Sequence, residues 1–375
     1  MIPNNLKKKV IEKDYFLINL IFRFIRLSLT KRKSNVNKIL ILSFKNLGDT
    51  VFTIPAIKYL RRNLGNKEIV VFCFDENKSI YEIAFSDLSF VTFPKNKINL
   101  DSPFINLKVI KEIRKHSPGL IIDFTSGLFI ALTLLFSRSK NNVGFNLQIF
   151  RNIYDTFSAR RTKPHLNDMY LDPVKYYLKQ EVELTDYQFP ASMISEGSIL
   201  IFPFAGWKAK EWGIKKYYEL GEKLSLDYDI KFVMLPNAIS NDIEDEFIKE
   251  KMDIIYTKDI NELISEIKKS SLVISNDTGS IYIAALLGKP TFTIYGPTNP
   301  LYSLPYGSMH DYMQKKIKCS PEVDKQYCFK DAGRNCFCYD CMNSLSVTEV
   351  TKKVINFINK LSLSQKRNTV LYKNN

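Results

Sequence analysis

The residues of this sequence that are best suited to chemistry lie between Ser271 and Pro300. Leu272 to Ser275 form a short apolar run that predicts a buried strand, and Asn276 to Gly279 interrupt it with turn-forming and helix-capping residues. Ile281 to Leu287 then predict a helix, which the following glycine and proline end. The start of such a helix has unpaired N–H groups and a partial positive charge, which suit a diphosphate.

A second strand, at Thr291 to Tyr295, completes a strand–helix–strand unit around this loop. Such units are parallel right-handed crossovers, and their ligands bind at the carboxyl ends of the strands. The candidate binding residues at that edge are Asp277, Thr278, Gly279 and Ser280. Asp277 could accept hydrogen bonds from sugar hydroxyls, or it could only cap the helix. Its position just before the helix is compatible with both roles.

The same pattern occurs near the start of the chain, where KILILSF predicts a strand and KNLGDT predicts a loop that turns into a helix. Asn46, Gly48 and Asp49 therefore lie at the carboxyl end of a strand, where an α/β domain exposes its active groups. The carboxylate of Asp49 could take a proton from a bound hydroxyl, or it could cap the helix. A substrate site facing Asp49 would favour the first role.

A third loop follows the apolar run SILIFPF, in the sequence AGWKAKEWGIKKYYELGEKL. Gly206 is predicted to make the turn, and Lys210 precedes the helix at the carboxyl end of the strand. A lysine in this place can neutralise a diphosphate and stabilise it as a leaving group. The alternative is that Lys210 is an ordinary solvated surface lysine. This alternative is disfavoured because Lys210 is predicted to lie at the same sheet edge as the loop that carries Asp277.

The stretches between these loops alternate between apolar strands and helices, which predicts doubly wound α/β sheets. With 375 residues, 45% of them hydrophobic, the chain can form two domains of about 150 residues each. Phe150 to Pro164 is expected to be irregular, and a last helix is predicted from Val347 to Leu361. We expect a basic extension (residues 1–37), a first domain (38–190), a second domain (191–361) and a flexible tail (362–375).

The formal net charge is +15, and residues 1–38 contribute +8 of it, from ten Lys or Arg against two acidic residues. The apolar core of this segment, Tyr15 to Phe22, has eight residues, whereas a membrane-spanning helix needs about 20. As an amphipathic helix it would lie in the headgroup region of an anionic membrane, or it would pack on its own protein. The flanking charges are Lys7, Lys8, Lys9, Lys31, Arg32 and Lys33. Nucleic-acid binding is disfavoured, because the charge is concentrated at one end and no binding motif occurs.

Five segments, taken in order, resemble glycosyltransferase family 9, the ADP-heptose:lipopolysaccharide heptosyltransferases. They are KILILSFKNLGDTVFTIPAIKYLR, LIIDFTSG, HLNDMYLD, KAKEWGIKKYYELGEKL and SNDTGSIYIAALLGKPTFTIYGPTNP. The resemblance runs from about Lys38 to Val350. It implies the GT-B fold, with two facing Rossmann-like domains and parallel sheets, and the nucleotide sugar bound mainly to the second domain.

The resemblance also implies roles for individual residues. Asp49 would be the general base, with Asn46 and Gly48 in the acceptor loop, and Lys210 would contact the diphosphate. The implied donor-binding residues are Gly206, Asp277, Thr278, Gly279 and Ser280. One departure is Tyr282, where the family often has histidine, and this puts the sugar selectivity in question more than the fold.

The activity implied by the resemblance is inverting transfer of a heptose from ADP-heptose to a lipopolysaccharide or lipooligosaccharide core, without a metal or other catalytic cofactor. The partners would be the donor, the lipid-linked acceptor and an anionic membrane, at the cytoplasmic face of the inner membrane. One alternative is a GT-B sugar-nucleotide epimerase, which needs no lipid acceptor and gives no reason for the basic amphipathic start. A non-catalytic sugar-nucleotide-binding protein is another, although its expected loss of Asp49 or Lys210 is not seen.

The cysteines are unevenly distributed: Cys73 stands alone, and the other five lie together at Cys319, Cys328, Cys336, Cys338 and Cys341. Thiolates at such spacing can enclose zinc or an iron–sulfur centre. Against a metal, members of the resembled family often carry cysteines here that their chemistry does not need. We therefore predict no catalytic metal and keep a structural site as the less favoured alternative. Disulfides are not expected in a reducing cytoplasm.

Overall fold

The computed structural model describes residues 4–30, 35–100, 106–159, 165–183, 187, 189, 197–236, 238, 252–329, 333 and 335–373. The chain divides into two compact units. Unit 1 comprises Met1–Arg161 and Leu166–Tyr187, and unit 2 comprises Thr162–His165 and Gln188–Asn375. Each unit has its own parallel sheet and its own hydrophobic core.

Unit 1 contains six strands and six α-helices within its described residues. The strands are β1 (Asn35–Ser43), β2 (Glu68–Phe74), β3 (Ser89–Phe93), β4 (Pro118–Asp123), β5 (Asn142–Asn146) and β6 (Thr156–Ala159). The helices are α1 (Asn4–Leu29), α2 (Leu47–Leu64), α3 (Lys78–Ala84), α4 (Leu107–His116), α5 (Leu128–Phe136) and α6 (Leu166–Leu178).

Unit 2 likewise contains six strands and six α-helices in the part that is described. Its strands are β7 (Ile199–Phe202), β8 (Ile230–Met234), β9 (Asp253–Tyr256), β10 (Leu272–Asn276), β11 (Thr291–Tyr295) and β12 (His310–Gln314). Its helices are α7 (Ile214–Ser225), α8 (Ile260–Lys269), α9 (Gly279–Leu286), α10 (Pro300–Ser303), α11 (Asp340–Asn343) and α12 (Val347–Lys373).

Both sheets have the same strand order. In unit 1 the order is β3-β2-β1-β4-β5-β6, and in unit 2 it is β12-β11-β10-β7-β8-β9. Every adjacent pair is parallel. Each is an open doubly wound sheet, as the alternation of strands and helices predicted. The direction of winding reverses between β1 and β4 in one sheet and between β7 and β10 in the other.

The central strands are apolar because helices cover both of their faces. Ile39 to Leu42 in β1 and Val70 to Phe74 in β2 are all buried, without the polar alternation of a half-exposed strand. Small Ala284 and Ala285 in α9 are also fully buried, which lets this short helix lie close to its sheet. The sheets are therefore rigid platforms for the loops at their carboxyl ends.

The sequence patterns missed two edge strands, β6 and β12, and the extent of a helix. Residues 156–159, inside the stretch expected to be irregular, form β6 and pair with β5. The last helix was predicted to end at Leu361 but continues to Lys373. Edge strands are hard to recognise because they lack the buried apolar run of a central strand, and β6 contains one buried residue, Ser158.

Helix α1 packs one of its faces on unit 1. The backbone N–H of Asn152 donates to Asn19 Oδ1 at 3.0 Å, and its side-chain amide donates to the Asn19 carbonyl at 3.1 Å. Arg26 is buried and forms an ion pair with Asp155, whose carboxylate also accepts from the Asn142 N–H at 2.7 Å. The helix is thus attached to its own unit through these polar residues and through Phe22 and Ile25, which pack against the unit 1 core.

The opposite face of α1, here called the outer face, is apolar and exposed. Its members are Phe16, Leu17, Leu20, Ile21, Phe24 and Leu27. Phe16 and Phe24 are 69% and 72% exposed, respectively. Among the described residues, no helix combines the length and the apolar character needed to cross a membrane. The basic residues at 31–33, expected to flank the helix, lie outside the described residues.

Candidate active site

The two places where the winding reverses are where an α/β sheet leaves a crevice between diverging loops. In unit 1 this crevice lies at the ends of β1 and β4, and in unit 2 at the ends of β7 and β10. The loop after β1 ends at Asn46, and Gly48 and Asp49 follow in the first turn of α2. The loop after β7 carries Lys210, and the loop after β10 carries Asp277. All these predicted site residues therefore lie at a switch point of their own sheet.

The unit 1 crevice is an open cavity of about 470 Å³, a volume typical of small-molecule sites. Its polar lining consists of Lys45, Asn46, Asp49, Lys95, Asn99 and Thr125. Its apolar lining consists of Phe44, Phe74, Ile98 and Leu100. A carboxylate, two ammonium groups and an aromatic wall in one cavity suit a polar ligand that carries both hydroxyl and anionic groups.

Asp49 faces this cavity from the first turn of α2. The N-cap residue is Asn46, whose carbonyl accepts the Thr50 N–H at 2.9 Å, and the Asn46 side chain makes no capping hydrogen bond. Within the described part of the chain, the Asp49 carboxylate likewise accepts no hydrogen bond and forms no ion pair. The geometry thus gives no support to helix capping and leaves this carboxylate available to a ligand.

Lys45 is held in place beside Asp49. Its ammonium group donates to the Thr125 carbonyl at 2.9 Å and lies 5.7 Å and 5.6 Å from the ring centroids of Phe145 and Tyr170. The buried Asn77 side chain donates to the Lys45 carbonyl at 2.7 Å. The Lys45 side chain therefore lies against the two aromatic rings, and its ammonium group lies at the carboxyl end of β4, next to Thr125.

The loop after β4 depends on a buried carboxyl group, Asp123, which no sequence pattern distinguishes from an ordinary loop aspartate. Asp123 Oδ1 accepts the backbone N–H groups of Thr125 at 2.7 Å and Ser126 at 3.1 Å, and its Oδ2 accepts the Tyr154 hydroxyl at 2.6 Å. The Tyr154 ring can cross β5 only because residue 144 is glycine, since a Cβ there would lie 2.8 Å from it. Burial raises the pKa of Asp123 to about 6, although the Tyr154 hydrogen bond opposes this rise.

In unit 2, Lys210 and Asp277 form a buried ion pair between two loops. The Lys210 ammonium lies 2.7 Å from Asp277 Oδ2 and donates to the Asp277 carbonyl at 3.0 Å. It also lies 4.0 Å from the ring centroid of Trp207, a favourable cation–π distance. Within the described residues, no acceptor is found for its third N–H. Lys210 is thus fixed in position and keeps one donor for a ligand.

Asp277 is buried and has a second partner, the hydroxyl of Tyr282. Burial alone would raise the pKa of Asp277, but the Lys210 charge and the hydrogen bonds from Lys210 and Tyr282 hold it below its ordinary value. Asp277 is therefore ionised at neutral pH and orients Lys210. Tyr282 is the residue that departs from the family pattern, and nothing in its sequence position predicts this hydrogen bond.

Helix α9 begins beside this pair without a side-chain cap. Thr278 is its N-cap residue, and its hydroxyl bonds to the Ser280 hydroxyl at 2.7 Å instead of to the first N–H groups of the helix. Thr278 and Gly279 are half-buried, whereas Ser280 is buried. The start of α9 is therefore free of the side-chain oxygen that would block an anion.

Gly206 is exposed in the loop after β7, and there is open space where a side chain would stand.

Sheets of this order, each with polar side chains at its switch point, define an α/β protein of the GT-B glycosyltransferase type. The model of a known family, glycosyltransferase family 9 (heptosyltransferase), matches residues 126–332, which is more than half of the chain. The chain belongs to this family and is a glycosyltransferase. This confirms the family and the fold class that the sequence resemblance implied.

Individual relatives agree with this assignment at low identity. Lipooligosaccharide heptosyltransferase 2 of Campylobacter jejuni subsp. jejuni serotype O:2 is 22% identical over 331 residues, which cover 83% of this chain and 95% of that protein. The structure of the family 9 glycosyl transferase of Veillonella parvula DSM 2008 has a TM-score of 0.70 and 16% identity, and covers 89% of this chain and 100% of its own. E. coli heptosyltransferase WaaC with ADP-2-deoxy-2-fluoro heptose has a TM-score of 0.58 and 14% identity, covering 85% and 99%.

Proposed function

We propose that this protein is an inverting heptosyltransferase that moves a heptose from ADP-heptose to a lipid-linked core oligosaccharide. The observation that carries the proposal is the Lys210 ammonium, fixed by Asp277 beside the uncapped start of α9 at the switch point of unit 2. The names of the Campylobacter and E. coli proteins support a heptose donor and a lipooligosaccharide acceptor.

The donor would bind to unit 2. Its diphosphate is anionic, and the first N–H groups of α9 together with Lys210 supply positive charge at this place. The charge on the β-phosphate increases as the bond to the sugar breaks, so a fixed ammonium stabilises the transition state more than the ground state. Thr278, Gly279 and Ser280 would contribute backbone or hydroxyl donors, and Gly206 would let the loop after β7 approach the donor closely.

The acceptor would bind in the unit 1 cavity. Asp49 would take the proton from the acceptor hydroxyl as its oxygen attacks the anomeric carbon and the ADP group leaves from the opposite face. One displacement inverts the configuration at that carbon. Lys45 and Lys95 in the same lining would attract anionic groups of the core. Asn46 and Gly48 would position Asp49, because they form the start of α2.

The proposed location is peripheral, on the anionic cytoplasmic face of the inner membrane, and the exposed outer face of α1 supports the membrane contact. Six large apolar side chains are exposed on a helix whose polar residues are used to attach it to unit 1. A soluble protein rarely exposes such a continuous apolar face without a partner. A lipid-linked acceptor gives this face a use, which a sugar-nucleotide epimerase would not.

A transfer assay tests the proposal. The purified protein is incubated with ADP-heptose and a heptose-free lipid core, and the product is analysed by mass spectrometry beside reactions with UDP- and GDP-sugars. We expect a product one heptose heavier, from ADP-heptose alone. Transfer from a different nucleotide sugar would overturn the donor assignment, and conversion of the donor without acceptor would indicate an epimerase.

A further inference from the structure

Two side-chain clusters lie outside the residues assigned so far. In unit 2, the thiols of Cys319, Cys328, Cys336 and Cys341 line one small space. Among the described residues, no group of three or more His, Cys, Asp or Glu side chains is arranged to bind a metal. In unit 1, polar side chains form a hydrogen-bonded connection from α1 to the loop after β4. The unit 1 cluster therefore ends at the cavity that contains Asp49.

The connection starts in the segment between β5 and β6, residues 148–155, here called the strap. The first six residues of the strap form a short 3-10 helix, in which the ring centroid of Phe150 lies 6.1 Å from that of Phe22 in α1. The last residue of the strap, Asp155, forms the ion pair with buried Arg26 of α1. The strap is thus fixed to the face of α1 opposite its outer face.

The residue before Asp155 bonds to the loop after β4. The buried Tyr154 hydroxyl donates to Asp123 Oδ2 at 2.6 Å and accepts from the side-chain amide of Asn146 at 2.9 Å. Residues 154 and 155 are covalent neighbours, so a movement of the strap along α1 would displace both the ion pair and the Tyr154 hydroxyl. The strap therefore joins the contact with α1 to the contact with Asp123.

The loop after β4 needs support because its backbone is strained. Ser126 has a φ of 64°, in the left-handed region that residues with a side chain rarely adopt. Such a conformation persists only where surrounding contacts fix it, and here Asp123 Oδ1 accepts the N–H groups of both Thr125 and Ser126. The Thr125 carbonyl in turn accepts the Lys45 ammonium at 2.9 Å. The place of Lys45 in the cavity lining therefore depends on how firmly Asp123 is held.

We propose that Arg26 and Tyr154 are positioning residues for the unit 1 cavity. The docked α1 holds the strap, the strap holds Tyr154 against Asp123, and the loop that Asp123 supports holds Lys45. The effect on acceptor binding rests on the proposed function, whereas the connection from α1 to the loop does not. Helix α1 then has a use on each face, since one face is available to a membrane and the other maintains the cavity.

Hydrogen exchange of the full-length protein tests the connection without an assay of activity. Mass spectrometry of peptides from the loop after β4 reports the two backbone amides that Asp123 accepts. We expect them to exchange about fivefold faster in Arg26→Gln and in Tyr154→Phe, which is the effect of losing one buried hydrogen bond. The matched control Tyr59→Phe removes the hydroxyl of another buried unit 1 tyrosine, which donates to the Gln180 carbonyl at 2.6 Å, and should leave this exchange unchanged.

The double variant Arg26→Gln, Tyr154→Phe shows whether the two contacts belong to one connection. If the ion pair acts through Tyr154, the double variant should exchange about as fast as Tyr154→Phe alone, because the connection is already broken there. Independent effects would multiply the two increases in exchange rate. Multiplied increases would overturn the proposal, as would exchange equal to that of the wild type in both single variants.

Transfer kinetics with a delipidated acceptor test the consequence for the cavity. We expect the KM for the acceptor to rise about fivefold in Arg26→Gln and Tyr154→Phe, while the affinity for ADP-heptose stays within about twofold and Tyr59→Phe keeps both values. Faster exchange with an unchanged acceptor KM would overturn the role of these residues at the acceptor. A protein that shows the expected exchange but transfers nothing from ADP-heptose would overturn the proposed function and leave the connection intact.

Discussion

At the scale of single residues, Asp49 decides whether the unit 1 cavity is catalytic. Asp49→Asn keeps the shape of the side chain and removes its capacity to accept a proton. We expect kcat to fall by about 10² or more while the affinity for ADP-heptose stays within about twofold. Transfer rates and calorimetric donor binding on the same preparations measure this. Unchanged turnover would show that Asp49 is not the general base and has only a structural role in the first turn of α2.

Asp123 leads to a prediction about pH. Its pKa is about 6 in the folded protein and 3.8 in its ordinary state, so between these values the folded protein holds a proton that the unfolded chain has lost. The contribution of this group to the free energy of unfolding therefore falls as pH rises from about 4 to about 6, by about 3 kcal/mol, and stays low above that range.

The variant Asp123→Asn should remove this dependence, because its amide resembles the protonated carboxyl. The amide nitrogen would be a donor where Asp123 Oδ2 accepts the Tyr154 hydroxyl, which adds a constant offset, so the readout is the change with pH. Relative to the wild type, the variant should gain stability between about pH 4 and pH 7 in denaturant titrations. Parallel curves for the two proteins would show that Asp123 is ionised throughout this range.

At the scale of elements, α1 is attached by one face and exposes the other. Replacing Phe16, Leu20 and Phe24 with Gln leaves Asn19 and Arg26 in place, so the helix should stay docked on unit 1. We expect this variant to lose cosedimentation with anionic vesicles at about 0.1 M salt while transfer to a delipidated acceptor is retained.

A matched control replaces three apolar residues that are even more exposed, Leu107, Leu226 and Val323, with Gln. It should bind vesicles as the wild type does. Binding of the wild type should weaken at about 1 M salt, where the Debye length shortens to about 3 Å. If the α1 variant cosediments as well as the control, the outer face serves another contact, and size-exclusion chromatography would show whether that contact is with a second copy.

At the scale of the whole molecule, the two units should separate donor binding from proton transfer. A ligand that binds only the folded state raises the melting temperature. ADP should therefore stabilise the wild type, Asp49→Asn and the control Lys208→Ala, whose side chain is 73% exposed in the same turn as Lys210. Lys210→Ala should lose most of the ADP shift. It should also melt lower without ligand, because Asp277 is left as an unpaired buried charge, a loss of about 3–5 kcal/mol.

An equal ADP shift in Lys210→Ala and Lys208→Ala would assign the diphosphate to other groups. Loss of the shift in Asp49→Asn would place Asp49 at the donor instead of the acceptor. Either result changes which unit performs which step, and neither affects the family assignment.

The sequence by itself determined the sheets, because a strand covered on both faces must be a continuous apolar run, as in KILILSF and SLVIS. It also determined that Asp49, Lys210 and Asp277 lie at strand ends, since loop positions follow directly from the alternation of strands and helices. Weak edge strands such as β6 and β12 could not be recognised, because their residues lack that apolar run.

The tertiary structure decided which side chains meet. Lys210 and Asp277 are 67 residues apart, and only the pairing of β7 with β10 brings their loops together. The hydrogen bond from the Tyr282 hydroxyl to Asp277 likewise depends on how α9 lies against β10. The same is true of α1, whose helical period predicts a polar and an apolar face. The polar face is the buried one because Arg26 pairs with Asp155, 129 residues away, and Asn19 bonds to Asn152, 133 residues away. No local sequence pattern contains such distant contacts.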